Sequence, residues 1–244
     1  MFYLPKSQLQ LPPKLVDWPQ FYRQQARKAR HPAIKQFYQQ GIVASDTPLE
    51  QVPFAALDFE TTGLNPGRDS IVSIGVVPFT LQRITLPAAR HWLVNPRQRM
   101  PEATIVVHGI TEANVANQPD LLGILPMLLE LLAGRVVVAH HSTIERLFLN
   151  QAVKRRMYHS LMFPMVDTMA IESNLCRHGW RDFWLRLTGR PRASIRLAAS
   201  RSRYGLPMYR PHHAQTDALA TAELFQAQVR YHFEADAPIG SLWQ

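Results

Sequence analysis

Phe54-Ala55-Ala56-Leu57-Asp58-Phe59-Glu60-Thr61-Thr62-Gly63-Leu64 is the stretch on which the reading of this chain turns. Its first four residues form an apolar run of strand length, and Thr61-Thr62-Gly63 supplies a break directly after it. Side chains two apart on a strand face the same way, so Asp58 and Glu60 project together, roughly 7 Å apart. Two carboxylates at that distance repel by about 2 kcal/mol at an effective dielectric of about 20. Two acids side by side at a strand end, beside a glycine turn, can hold a cation. Oxygen ligands suit a hard ion such as Mg²⁺ or Mn²⁺ better than zinc. The competing reading is a strand end whose acids meet solvent, and these residues alone do not separate the two.

The 244 residues, 46% of them apolar, suffice for one ordinary domain with a sizeable core. A formal charge of +9 and a pI near 10.1 favour a polyanionic partner, nucleic acid ahead of an acidic membrane surface. The lone Cys176 excludes an internal disulfide framework and fits a reducing compartment. Leu121 to Ala133, the longest apolar stretch, is interrupted by Pro126 and Glu130 and is too short to span a bilayer. No basic-then-apolar leader opens the chain. Residues 1–40 are Arg- and Gln-rich with Asp17 their one acid, a composition shared with transit peptides, yet they also carry a foldable pattern. The expected setting is a soluble cytoplasmic protein.

Residues 1–17 are Pro-rich and irregular. Trp18, Phe21, Tyr22, Ala26 and Ala29 recur at helical spacing, predicting a helix to about Arg30, and a second from about Ala33 to Gln40 stops at Gly41. Arg23, Arg27, Lys28, Arg30 and Lys35 make residues 1–50 a basic helical extension. A solvated face explains those charges; docking on nucleic acid or a partner is the functional alternative. Ser45 to Pro53 reads as a linker into a main domain at 51–234, with 235–244 as a C-terminal tail.

Ser70 to Val77 and His91 to Val94 are predicted as the second and third strands, with a loop from Asn95-Pro96 to His108-Gly109-Ile110-Thr111. Leu121 to Leu132 reads as a buried helix stopped at Gly134, and the β-branched run Arg135 to Ala139 as a strand buried on both faces. His140 to Val153 follows as loop into helix, Phe163 to Asp167 as a short fifth strand, and Thr168 begins another helix. Helices over Leu197–Tyr204 and His213–Val229 complete the set. Strand hairpins followed by strand–helix alternation indicate an α/β fold: a mixed sheet with flanking helices.

Two further acids, Asp217 and Glu145, could complete a site. Asp217 lies in the last long helix beside Ala214, Ala218, Leu219, Ala222 and Phe225, small and apolar neighbours suited to close packing on the sheet. His212 precedes it by five residues; inside one helix the two would diverge by about 140°, but Pro211 makes His212 a lead-in residue free to swing toward the acid. A histidine beside a metal site can take a proton from water near neutral pH, although one at a helix entrance is commonly structural. Ser142-Thr143-Ile144-Glu145 has capping-box spacing, which would explain Glu145 completely; the alternative is a carboxylate offered to the cation. Asp167-Thr168 has the pattern of a helix cap.

These residues together carry a family resemblance. Asp58-Phe59-Glu60-Thr61-Thr62-Gly63-Leu64 resembles the first motif of the DEDDh 3′–5′ exonucleases, the group of the proofreading epsilon subunit of bacterial DNA polymerase III. Val138-Ala139-His140-His141-Ser142-Thr143-Ile144-Glu145 with Phe148-Leu149 resembles the second, and His212 to Asp217 with Ala218 to Leu224 the third. Pro96, His108 to Thr111 and Asp167-Thr168 also fall where the family has similar residues. The resemblance spans about residues 54–230 and leaves out 1–50. Two positions depart from it: Glu145 stands where the family has Asp, and His141 where it has Asn.

The resemblance implies a ribonuclease H-like five-stranded sheet and metal-dependent release of nucleotides from a 3′ end, single-stranded DNA favoured and RNA possible in principle. It implies two divalent cations, Mg²⁺ or Mn²⁺, held by Asp58, Glu60, Glu145 and Asp217, with His212 as general base. Such ions, about 3.5–4 Å apart, stabilise the attacking and leaving oxygens. It places Thr61, Thr62, Gly63, Leu64 and His108 at the substrate, and suggests a polymerase or repair-protein partner. Between Arg177 and Arg210 there are nine Arg and one acid, Asp182, interleaved with Trp180, Phe183, Trp184, Tyr204 and Tyr209, a regional bias suited to a single strand, with surface charge and core packing the competing reading for many of the individual residues. A non-catalytic nucleic-acid-binding or polymerase-associated module is the alternative from another class. A zinc hydrolase built on His140, His141 and His212 is weaker, because adjacent histidines point apart and no His-Glu-x-x-His spacing occurs.

Overall fold

The computed structural model describes residues 16–177 and 193–244. Strand β1 (Phe54–Thr61) lies at the centre of a five-stranded mixed sheet of order β3-β2-β1-β4-β5. It pairs antiparallel with β2 (Ile71–Phe79), which pairs antiparallel with β3 (Arg90–Leu93). On its other side it pairs parallel with β4 (Val136–Ala139), and β4 pairs parallel with β5 (Met165–Asp167). Pairing on both sides explains the unbroken apolar runs of β1, β2 and β4, whose residues are buried almost throughout.

The alternation of β1 sorts its side chains into two layers. Ala55, Leu57 and Phe59 join a core with helices α1 (Trp18–Lys28), α2 (Pro32–Gln39), α5 (Leu121–Leu132) and α6 (Ser142–Met157). Phe54 and Ala56 face the long helix α9 (Ala214–His232), packing with Ala218, Ala222, Phe225 and Val229. Asp58 and Glu60 continue this second face toward the strand's C-terminal end. The small residues of α9 let it lie close to the sheet, as their spacing predicted.

The N-terminal helices share the main core. Trp18, Tyr22, Phe37 and Tyr38 are buried, Phe37 meets Phe163 edge-on at 5.8 Å, and the Tyr38 hydroxyl donates to the Met162 carbonyl at 3.1 Å. Residues 45–53, read as a linker, are tied down: Leu49 N–H donates to Ala237 O at 2.9 Å and Gly240 N–H to Ser45 O at 2.8 Å. The expected loop after Asn95 contains helix α3 (Glu102–His108), closely followed by α4 (Glu112–Val115). Helix α3 escaped the pattern because Val106 and Val107 are exposed, leaving no apolar stripe. The remaining helices are α7 (Thr168–Arg177) and α8 (Leu197–Arg203).

Candidate active site

Four acids converge at the C-terminal end of β1. Glu60 is 8% exposed, and Glu60, His212 and Asp217 each offer a ligand atom within 4.8 Å of the others. Asp58, partly open to solvent, has its carboxyl held well above the usual range, by burial first and then by the negative charges of Glu145, Asp217 and Glu60. Burial and then the charge of Asp217 push Glu60 up to about 7. Glu145, 4% exposed, is likewise raised well above the usual range by burial, with Asp167 and Glu60 adding repulsion against its own backbone amide. Burial raises Asp217, opposed by the His212 amide and the nearby imidazoles. Each of the four carboxyls therefore holds its proton more tightly than a free one, which a bound cation would reverse.

The first turn of α6 corrects the capping-box expectation. His141, in the left-handed region at φ 89°, is the residue before the helix, and no side chain of its own caps it. Asp167 does so instead: its Oδ1 accepts from His141 N–H at 3.1 Å, and its Oδ2 accepts from Ser142 N–H at 3.0 Å and Ser142 Oγ at 3.1 Å. The same Oδ1 accepts from Met169 N–H at 2.9 Å and Ala170 N–H at 3.2 Å, so one carboxylate caps α6 and α7. Glu145 Oε2 is consequently buried with no hydrogen-bond partner, an acceptor suited to a cation.

At the start of α9 the residue before the helix is His213, whose Nδ1 lies 3.4 Å from the Thr216 amide and whose ring lies 4.6 Å from that of His91. His212 precedes it at φ 66°, exposed, and its N–H donates to Asp217 Oδ2 at 2.7 Å. The five-residue step thus brings residue and acid together through the backbone. Gly75 on β2 makes this possible, and nothing in the sequence singled it out. A Cβ there would overlap the backbone of Ala214 and Gln215, so the missing side chain lets α9 seat its first turn on the sheet.

The turn after β1 is held from within. Thr61 Oγ1 donates to Gly63 O at 2.6 Å, and Thr62 Oγ1 accepts from Ser70 N–H at 3.0 Å and Gln98 Nε2 at 2.7 Å. A Cβ on Gly63 would overlap the Asp69 carboxylate. Leu64 is left 48% exposed beside the site. His108 accepts from Ile110 N–H through Nδ1 at 3.0 Å, while its Nε2 is buried without a partner. Burial lowers the pKa of His108, and the proximity of His212 adds to that.

Two readings weighed in the sequence can be placed here. His140 spends both nitrogens away from the acids, on Thr168 Oγ1 at 2.9 Å and Ile195 O at 3.0 Å, and burial drives its pKa down to about 4. Among the described residues the metal-competent cluster contains His212 and neither His140 nor His141. Two of the nine arginines between Arg177 and Arg210 are internal ties, so the basic bias of that segment is partly packing. Arg201 pairs with Glu223 at 2.7 Å, Arg203 pairs with Glu172, and Tyr204 and Tyr209 donate to the same two acids. Trp180, Asp182, Phe183, Trp184 and the arginines around them lie outside the described residues.

Residues 55–225 match the family model RNase_T, described as Exonuclease. The DNA polymerase III subunit epsilon of Treponema pallidum is 29% identical over 183 residues, covering 75% of this chain and 79% of that subunit. The PolC-type DNA polymerase III of Thermotoga maritima is 30% identical over 183 residues, which is 75% of this chain and 12% of the polymerase. Exonuclease X in complex with 5′ overhanging duplex DNA superposes with a TM-score of 0.57 at 22% identity, over 76% of this chain and 97% of that one. The nuclease domain of 3′hExo, a DEDDh family member bound to rAMP, gives 0.59 at 17% identity, over 74% and 92%. These two likenesses show the ribonuclease H-like exonuclease fold. With the family model matching 55–225 of 244 residues, the chain belongs to the exonuclease family.

Proposed function

We propose that the chain is a metal-dependent 3′–5′ exonuclease acting on nucleic acid with a free 3′ end, single-stranded DNA in the first instance. The observation that carries this reading is the convergence of Glu60, Asp217 and His212 within 4.8 Å, beside Asp58 and the unpartnered carboxylate oxygen of Glu145. Asp58, Glu60, Glu145 and Asp217 fit Mg²⁺ or Mn²⁺, which when bound supply charge to the scissile phosphate and acidify the attacking water.

The chain's own groups do the rest. His212, exposed at the mouth of the site, takes the proton of the attacking water; Asp217 holds its backbone from below. Thr61, Thr62 and Gly63 fix the turn that borders the terminal nucleotide, and exposed Leu64 packs on its base. His108, near enough to His212 to feel its charge, stands at the substrate side of the base. A polymerase or repair protein is the proposed partner and the cytoplasm the proposed setting, a reading supported by the likeness to the epsilon subunit and the PolC-type polymerase. No helix among the described residues is long and apolar enough to cross a membrane.

The test uses DNA and RNA single strands labelled at the 5′ or the 3′ end, with Mg²⁺, Mn²⁺ or chelator. A 5′ label should shorten stepwise in metal, DNA faster than RNA, and Asp58→Ala should abolish this while leaving the fold intact. Nucleic-acid binding with no cleavage in either metal would establish the non-catalytic module instead.

A further inference from the structure

We propose that Arg201 is a positioning residue for His212: its buried guanidinium fixes the segment between α8 and α9 and so holds His212 over the acids. The assignment rests on the reading of His212 as the base. His212 adopts φ 66°, a conformation that a non-glycine residue keeps only where its surroundings over-determine it. On the helix side the constraint is the bond from its N–H to Asp217. On the loop side it is Arg201, 2% exposed.

Arg201 reaches both parties at once. Nη1 donates to Ala220 O at 2.6 Å and Nη2 to Glu223 Oε2 at 2.7 Å, both on α9. Nη2 also donates to Pro207 O at 2.8 Å, and the guanidinium carbon sits 4.6 Å over the Tyr209 ring, both on the segment leading to His212. The Tyr209 hydroxyl closes the set by donating to Glu223 Oε1 at 2.9 Å, and Leu206 N–H donates to Arg201 O at 3.2 Å. A staple between α8 and α9 needs only Ala220 and Glu223. The bond to Pro207 and the stack on Tyr209 act on the loop alone, and they end three residues before His212. The planar fork and face of Arg suit this simultaneous grip, which a single ammonium cannot reproduce.

The test compares Arg201→Lys and Tyr209→Ala, the latter at a partly exposed position where loss of fold is not expected. Both should lower kcat on a 5′-labelled single strand by about 10- to 100-fold, the scale of a misplaced catalytic group, with KM little changed. In a His212→Ala background neither should cause a further loss, because both act through that residue. Amide exchange at 205–213 should quicken in both variants, with the amides of 218–229 unchanged. Wild-type turnover in Tyr209→Ala, or losses that multiply with that of His212→Ala, would overturn the assignment. Full activity in His212→Ala removes the base and the assignment together, whereas an inactive His212→Ala beside a fully active Tyr209→Ala removes the assignment alone.

Discussion

Gly75 lies directly across the antiparallel ladder from Asp58, and the space where its side chain would stand is occupied by the backbone of Ala214 and Gln215. The first ligand strand and the helix carrying Asp217 therefore meet through a position defined by an absent atom. Gly75→Ala should push α9 off the sheet. Overpacking of this kind costs about 1–3 kcal/mol, and the displaced Asp217 should weaken divalent-cation binding and cleavage far more than that loss implies. Thermal melts beside cation titration calorimetry check it; an Ala variant with wild-type cation affinity would show that the close approach does not set the site.

The crowded acids give the cation-free protein a pH dependence of definite sign. Glu60 holds its proton more tightly folded than unfolded, at about 7 against an ordinary 4.5, so its contribution is fully present below pH 4.5 and is lost as pH rises through 7. The loss amounts to about 3 kcal/mol at most. His140, lowered to about 4 by burial, acts in the opposite sense as pH falls below its ordinary 6.5, so wild type is compared with Glu60→Gln, which keeps His140. In chelator, Glu60→Gln should gain in melting temperature over wild type from pH 5 to pH 8, and Mn²⁺ should stabilise wild type most at the alkaline end. A difference that stays flat across this range would mean that Glu60 titrates normally.

Glu145→Gln tests an acid that no cap accounts for. With Asp167 capping α6, the amide variant should melt no lower than wild type in chelator, its advantage growing as pH rises, while losing cation affinity and nearly all cleavage. Glu145→Asp, which restores the residue usual at this position in the resembling family, should also lose activity, because it draws the carboxylate back by one methylene from the other three acids. Full activity in Glu145→Gln would remove Glu145 from the site.

His212 and His213 should separate cleanly. His213 is the residue before α9, accepts from the Thr216 amide and lies against the His91 ring, so His213→Ala should cost about 0.5–2 kcal/mol of stability, as the loss of a helix cap does, with turnover largely kept. His212→Ala should keep its stability and lower turnover by about 10²–10⁴-fold. Equal turnover losses in the two variants would mean that neither transfers a proton.

The sheet and most of the site were legible because local pattern and tertiary contact agree there. The alternation of Phe54 to Glu60 and the β-branched run at 136–139 state their own burial, and the step from His212 to Asp217 closes within one helix entrance. The sequence misled where a distant residue outbids a local one. Ser142-x-x-Glu145 has cap spacing, but Asp167, 25 residues away, takes the Ser142 amide. Arg201 and Arg203 look like surface charge until Glu223 and Glu172 arrive from other helices. Gly75 carries no pattern, since what it makes room for lies about as far off in sequence as the third motif.

The pairing of the last residues with β5 has a consequence for how copies of this chain meet. Trp243 bridges Val166, and Gln244 exchanges backbone hydrogen bonds with Met165, so the outer rim of β5 offers no free ladder to a neighbour. The opposite rim, β3, is four residues long and carries Arg90. A short charged rim and a self-covered one leave little template for strand addition between molecules. Trimming 243–244 would uncover Met165 and Val166, and the cost would fall on solubility at high concentration before it fell on the acids at the other end of β1.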